Sequence, residues 1–149
     1  MIARLVLISL LALIAFTPCR ASAANDSNVA EYNLQMNIRG REMTSICVME
    51  KHSDGDIVGT VVTEFGVKIF DFTCEKGKTK VLNVLGPLNK WYIRKVIKGD
   101  IAFILDNMNQ GGEISKRKRH LTIKPNGVII MNNDRFKICY TFTPMESKE

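Results

Sequence analysis

The sequence predicts an α+β fold: a curved antiparallel sheet, or half-barrel, of about eight or nine strands wrapped around one main helix. Three observations carry this. Apolar and polar residues alternate in several short runs, which is the period of a half-buried strand. Turn residues separate those runs, among them Gly40, Ser53-Asp-Gly55, Gly66, Gly77 and Pro125-Asn-Gly127. One segment after Pro87 breaks the pattern: Ile93, Val96, Ile97, Ile101, Ile104, Leu105 and Met108 recur at helical spacing.

In chain order, the first segment is set apart from the domain. Met1 to Arg4 is a basic start, Leu5 to Phe16 is an apolar run too short to span a bilayer, and Ala21-Ser-Ala23 has the small residues of a cleavage site. Residues 1–23 therefore read as a secretory signal peptide and residues 24–149 as a single domain. An uncleaved anchor and acylation at Cys19 are the alternatives. Phe16-Thr-Pro18 before Cys19 suits a lipidation signal badly, through bulk and proline. The whole chain has a formal charge of +6. Losing Arg4 and Arg20 with the leader takes two from this and leaves +4. An exported, mildly basic protein meets anionic lipid or envelope polymer rather than nucleic acid.

Tyr32, Leu34, Met36 and Ile38 alternate with polar residues and form the first strand. Met43 to Glu50 follows. Ile57 to Thr63 and Val67 to Thr73 make a hairpin turning at Phe65-Gly66, and Val81 to Leu85 makes the next strand before Gly86-Pro87 breaks it. The helix opens with Trp91 and Tyr92, carries Arg94, Lys95, Lys98 and Asp106 on its polar side, and stops at Gly111-Gly112. Leu121 to Ile123, Val128 to Met131, and Phe136 to Phe142 supply the closing strands. Lys116-Arg-Lys-Arg119, beside His120, reads either as a solvated edge that discourages strand pairing or as a contact for phosphate head groups.

Catalytic signatures are missing from the sequence. It has no Gly-x-Ser-x-Gly, no His-Glu-x-x-His and no phosphate-cradling loop. Asp71, between Phe70 and Phe72, is the carboxylate to inspect as a shifted acid. Cys47, Cys74 and Cys139 lack zinc-ligand spacing. They read as small buried hydrophobes, with one disulfide plus a free thiol as the alternative. No metal, no cofactor and no enzymatic activity are expected.

The run Val61-Val-Thr-Glu-Phe-Gly-Val-Lys-Ile-Phe70, then Leu82-Asn-Val-Leu-Gly-Pro-Leu88 and a long helix, resembles the bacterial lipoprotein carrier and receptor family (LolA/LolB-like), most of all its small envelope lipoproteins. The likeness runs from about Tyr32 to Met108. It implies a half-barrel whose concave side receives acyl chains, and a hairpin tip that presents an apolar residue to the membrane; Phe65 stands at that place. The expected function is non-enzymatic binding of a lipid, or of the acyl chains of lipoproteins, in the periplasm or at the periplasmic face of the outer membrane, with possible delivery to that membrane. The expected partners are lipid or acylated protein and an anionic membrane surface, with the chain a monomer. The cavity wall is expected from Phe70, Phe72, Ile97, Ile101 and Ile104, and head-group contact from Lys116, Arg117, Lys118 and Arg119. The competing expectation is an envelope structural or interaction module in which the same apolar residues form a filled core.

Overall fold

The computed structural model describes residues 28–146. The expected signal peptide, its expected cleavage after Ala23, and Cys19 lie outside the described residues. The described residues form nine strands and one α-helix: β1 (Asn28–Ile38), β2 (Arg41–Lys51), β3 (Ile57–Thr63), β4 (Lys68–Glu75), β5 (Lys78–Leu82), α1 (Trp91–Asn107), β6 (Gly112–Lys116), β7 (Arg119–Ile123), β8 (Ile129–Asn133) and β9 (Ile138–Pro144). A single turn of 3-10 helix, Gly86–Leu88, precedes α1.

All nine strands belong to one antiparallel, unclosed, curved sheet in the order β5-β4-β3-β2-β1-β9-β8-β7-β6. The two halves of the chain, β1 to β5 and β6 to β9, join where β1 pairs with β9, from Tyr32 opposite Pro144 to Ile38 opposite Ile138. The edge strands β5 and β6 are consecutive in sequence apart from α1. The chain must therefore travel from one edge of the sheet to the other through the helix. A flat nine-stranded sheet is about 38 Å across, whereas 17 residues of helix cover about 26 Å. Curling the sheet brings its edges within reach of that span, and α1 then packs against β5 on one side and β7 on the other.

The concave face is apolar for the reason the alternation predicts. Leu34 and Met36 of β1, Cys47 and Met49 of β2, Val61 of β3, Phe70 and Phe72 of β4, Leu121 of β7, Met131 of β8, and Tyr140 and Phe142 of β9 are buried in one cluster with Ile101, Ile104 and Leu105 of α1. The intervening residues face outward except Ile69 of β4, which is buried in the same cluster where the β3–β4 register shifts. Bending is helped by a register shift between Val61 and Val62 where β3 meets β4.

Boundaries moved where turn chemistry was tighter than the periodicity suggested. Lys76 and Gly77 both take positive φ, so the chain reverses in two residues. The fifth strand thus begins at Lys78 instead of Val81 and ends at Leu82, after which Asn83 turns with φ 51°. Lys116–Arg119 is a tight hairpin, with Arg117 and Lys118 as its turn between edge strand β6 and β7. Phe136 belongs to the β8–β9 turn, not to the last strand.

Gly59 shows how closely the concave face is packed. It lies opposite Phe72, and a Cβ there would sit 2.0 Å from the Phe72 ring. The ring therefore lies directly over the glycine backbone. Gly59→Ala should force Phe72 from its position and cost about 3 kcal/mol, the upper end for overpacking a core. A lowered denaturant midpoint with unchanged slope is the expected readout.

Candidate functional site

The concave face contains a polar centre that the apolar pattern hides. Asp100 of α1 is fully buried, and its carboxylate accepts three hydrogen bonds. Arg119 Nε of β7 and Asn133 Nδ2 of β8 both donate to Oδ1, at 2.8 and 2.7 Å, and the Tyr140 hydroxyl of β9 donates to Oδ2 at 2.7 Å. Three neighbouring strands thus hold one helix residue. Gly99 makes room for this. A Cβ on it would lie 2.5 Å from Arg119 Nη2, which explains a glycine in mid-helix despite its cost of about 1 kcal/mol. Burial and the adjacent Asp100 carboxylate push the Tyr140 phenol well above its usual range, outweighing the opposing charge of Arg119. Tyr140 therefore stays a donor. Asp100 itself is closed to solvent and its carboxylate is taken up by three side-chain donors, of which only Arg119 keeps partial exposure, so this is an anchor for the helix.

Beside it lies the expected apolar wall. Phe70, Phe72, Ile101 and Ile104 are at most 2% exposed and sit in the common core cluster, while Ile97 is half-buried against it. Side chains with so little accessible surface border no water-sized space. The wall residues are thus brought together, but as packed neighbours.

Apolar side chains are exposed at one end of the sheet. Phe65, at the β3–β4 tip, is 92% exposed, and Val67 follows it. The Leu85 amide donates to the Ile69 carbonyl at 2.8 Å, which brings the chain after β5 beside this hairpin. Leu82, Leu85, Trp91 (70% exposed) and Tyr92 are exposed as well, along the segment that leads from β5 into α1. Trp91 and Tyr92 stack edge to face, with centroids 5.9 Å apart.

Of the expected head-group residues, Lys116, Arg117 and Lys118 are exposed on the β6–β7 hairpin. Arg119 leaves that set. Strand alternation turns it inward, and its guanidinium is committed to Asp100. The same hairpin assembles a Ser–His–Asp array that sequence spacing did not reveal. Ser115 Oγ lies 2.8 Å from His120 Nδ1, and His120 Nε2 lies 2.8 Å from Asp134 Oδ2. Ser115 and His120 are cross-strand partners, and Asp134 arrives from the end of β8. All three side chains are solvated, with His120 and Asp134 about half exposed. Hydrolytic triads have their strength from a water-excluded setting and donors aimed at an oxyanion. In open solvent the array acts as a surface hydrogen-bond chain.

Asp71 faces outward and is satisfied by Thr60, by Asn83 Nδ2 at 2.7 Å and by Lys68 Nζ at 2.9 Å. Partial burial works to raise its pKa, but these hydrogen bonds and the Lys68 charge together bring it below the ordinary 3.8. That is the opposite of a general acid. Cys47, Cys74 and Cys139 are free thiols, and burial pushes the Cys47 thiol up to about 12, leaving it protonated and unreactive. Among the described residues no three metal-ligating side chains gather, and no helix is long and apolar enough to cross a membrane.

No family model matches the chain, and no curated protein matches it either. The reading of its function therefore rests on these surfaces.

Three outcomes follow from the polar contacts. Asp100→Ala leaves Arg119 and Tyr140 unpaired in the interior and should destabilise by about 3–5 kcal/mol. Tyr140→Phe in that background should add less than it costs alone, which a double-mutant cycle by chemical denaturation would read. For Asp71 the folded pKa is depressed, so its contribution is fully present above pH 3.8 and is lost as the pH falls through the lower folded value. The stability gap between wild type and Asp71→Asn should accordingly be constant near neutrality and shrink below pH 3.8 in urea titrations.

Proposed function

We propose that this protein binds lipid, or the acyl chains of lipoproteins, in the bacterial cell envelope, without catalysing a reaction, as a relative of the lipoprotein carrier and receptor family. The observation that supports this best is the apolar end of the sheet, with Phe65 at its tip. A fully exposed phenylalanine gives up about 1.5–3 kcal/mol of burial for as long as it stays in water. Here it stands with Val67, Leu85 and the Trp91–Tyr92 pair at the same end, and indole and phenol rings favour the boundary between hydrocarbon and water. The half-barrel shape is compatible with the same reading.

Acyl contact is assigned to this rim first. Deeper entry requires α1 to lift from Phe70 and Phe72, because those side chains are closed against Ile101 and Ile104. That packing favours a second reading, an envelope interaction module with a filled core, in which the rim contacts a protein.

Phe65→Glu separates these. Lipid binding predicts about tenfold weaker association with liposomes, since burial of one phenylalanine is lost and a charge is added. Stability should stay within about 0.5 kcal/mol of wild type, as for other solvent-exposed positions. Native mass spectrometry of envelope-purified protein should also retain acyl lipid. Ligand-free protein that ignores both liposomes and added fatty acid would favour the interaction module.

A further inference from the structure

The same end of the sheet carries the turns β1–β2, β6–β7 and β8–β9, since Ile38 pairs with Ile138, Asn133 with Ile138, and Arg119 with Asn133. Between two of these turns lies a cleft of about 640 Å³, lined by Asn37, Arg39, Gly40, Arg135, Phe136 and Lys137. Three of its six lining residues are cations and none is an acid. Among the described residues, Arg39, Arg135 and Lys137 take no part in any salt bridge. Of the carboxylates around it, Asp134 adjoins Arg135 in sequence and is paired with His120, and Glu42 lies across from Asn37 on β2 without lining the cleft.

The cleft is rigidly built. The Arg39 amide donates to the Lys137 carbonyl at 3.0 Å, which ties the two turns together. The Arg135 guanidinium lies over the Phe136 ring, 5.4 Å from its centroid, which holds it while leaving its edge N–H groups free. The Phe136 amide donates to Asn133 Oδ1 at 3.2 Å, and Asn133 is itself bonded to buried Asp100, so the turn is fixed to the interior anchor. Arg39 and Lys137 both adopt positive φ, where glycine or asparagine would be at less cost.

We infer that this cleft binds a phosphate group. Arginine's planar fork fits phosphate oxygens in pairs, and lysine adds a point charge. Which molecule carries the phosphate rests on the lipid reading above, and on that reading it is an anionic lipid head group. The two neighbouring surfaces divide the work: the apolar tip meets acyl chains, and the cleft meets the charge above them.

The test uses the purified protein and three probes: inorganic phosphate, phosphatidylcholine vesicles, and phosphatidylcholine vesicles containing phosphatidylglycerol. Phosphate should shift the amide resonances of Arg39, Gly40, Phe136 and Lys137, and the triple variant Arg39→Gln, Arg135→Gln, Lys137→Gln should abolish the shifts while keeping the wild-type melting temperature. The triple variant should bind anionic vesicles about a hundredfold more weakly, the combined effect of three surface charges. The matched variant Lys51→Gln, Lys76→Gln, Lys78→Gln, at the other end of the sheet, should bind as wild type does. Absence of phosphate shifts in the cleft, or equal loss in both triple variants, overturns the site. Phosphate shifts with vesicle binding indifferent to the cleft variant overturn the head-group source and leave a free phosphate compound as ligand. Phe65→Glu that loses vesicle binding but keeps the phosphate shifts supports the cleft as a separate site. Phosphate shifts in a wild-type protein that binds no vesicle would end the lipid reading alone.

Discussion

A carboxylate without water must find its own solvation, and Asp100 finds it in three strands at once. Arg119, Asn133 and Tyr140 come from β7, β8 and β9 and converge on two oxygens. Apolar packing alone lets a helix slide or roll on a curved sheet at little cost. A buried, fully bonded carboxylate allows one position, because any displacement strands several polar groups together. The helix is therefore fixed on the side of the C-terminal half, while its other side packs against β5 of the first half.

That division gives the molecule two unlike regions. Around Phe70, Phe72, Ile101 and Ile104 the interior is dry and held by dispersion and burial. Around Asp100 it is polar and directional. Asn133 belongs to both the anchor and the turn outside it, through its amide to Asp100 and its oxygen to the Phe136 N–H. The geometry of the basic turns is thereby set by the core.

Much of this was legible in the residues. Alternation in Tyr32–Ile38 and the helical spacing from Ile93 to Met108 mark the strands and helix because burial on one face leaves a period in the sequence. Phe65-Gly66 marks the two-strand reversal in the sequence, but that Phe65 projects from it was implied by the family resemblance and not by the local pattern. Less legible was anything requiring partners from distant segments. Asp100 sits on the apolar stripe between Ile97 and Ile104, and a charge on such a stripe signals a buried partner. Its partners lie 19 to 40 residues away, on strands whose register no local pattern shows. Arg119 looked like part of a solvated basic run because composition does not reveal which member of a hairpin turns inward. Ser115, His120 and Asp134 met for the same reason, through cross-strand pairing. The cleft at Arg39 and Lys137 depends on β1 lying beside β9, the longest-range contact in the sheet.

That central seam has a temporal consequence. A chain emerging from its N-terminus completes β1 more than a hundred residues before β9 exists to cover its free side. At ordinary synthesis rates the wait is on the order of ten seconds. Throughout it, an eleven-residue strand offers an open row of amides and carbonyls to any passing strand. Newly made molecules are thus most vulnerable to mispairing along what later becomes the middle of the finished sheet.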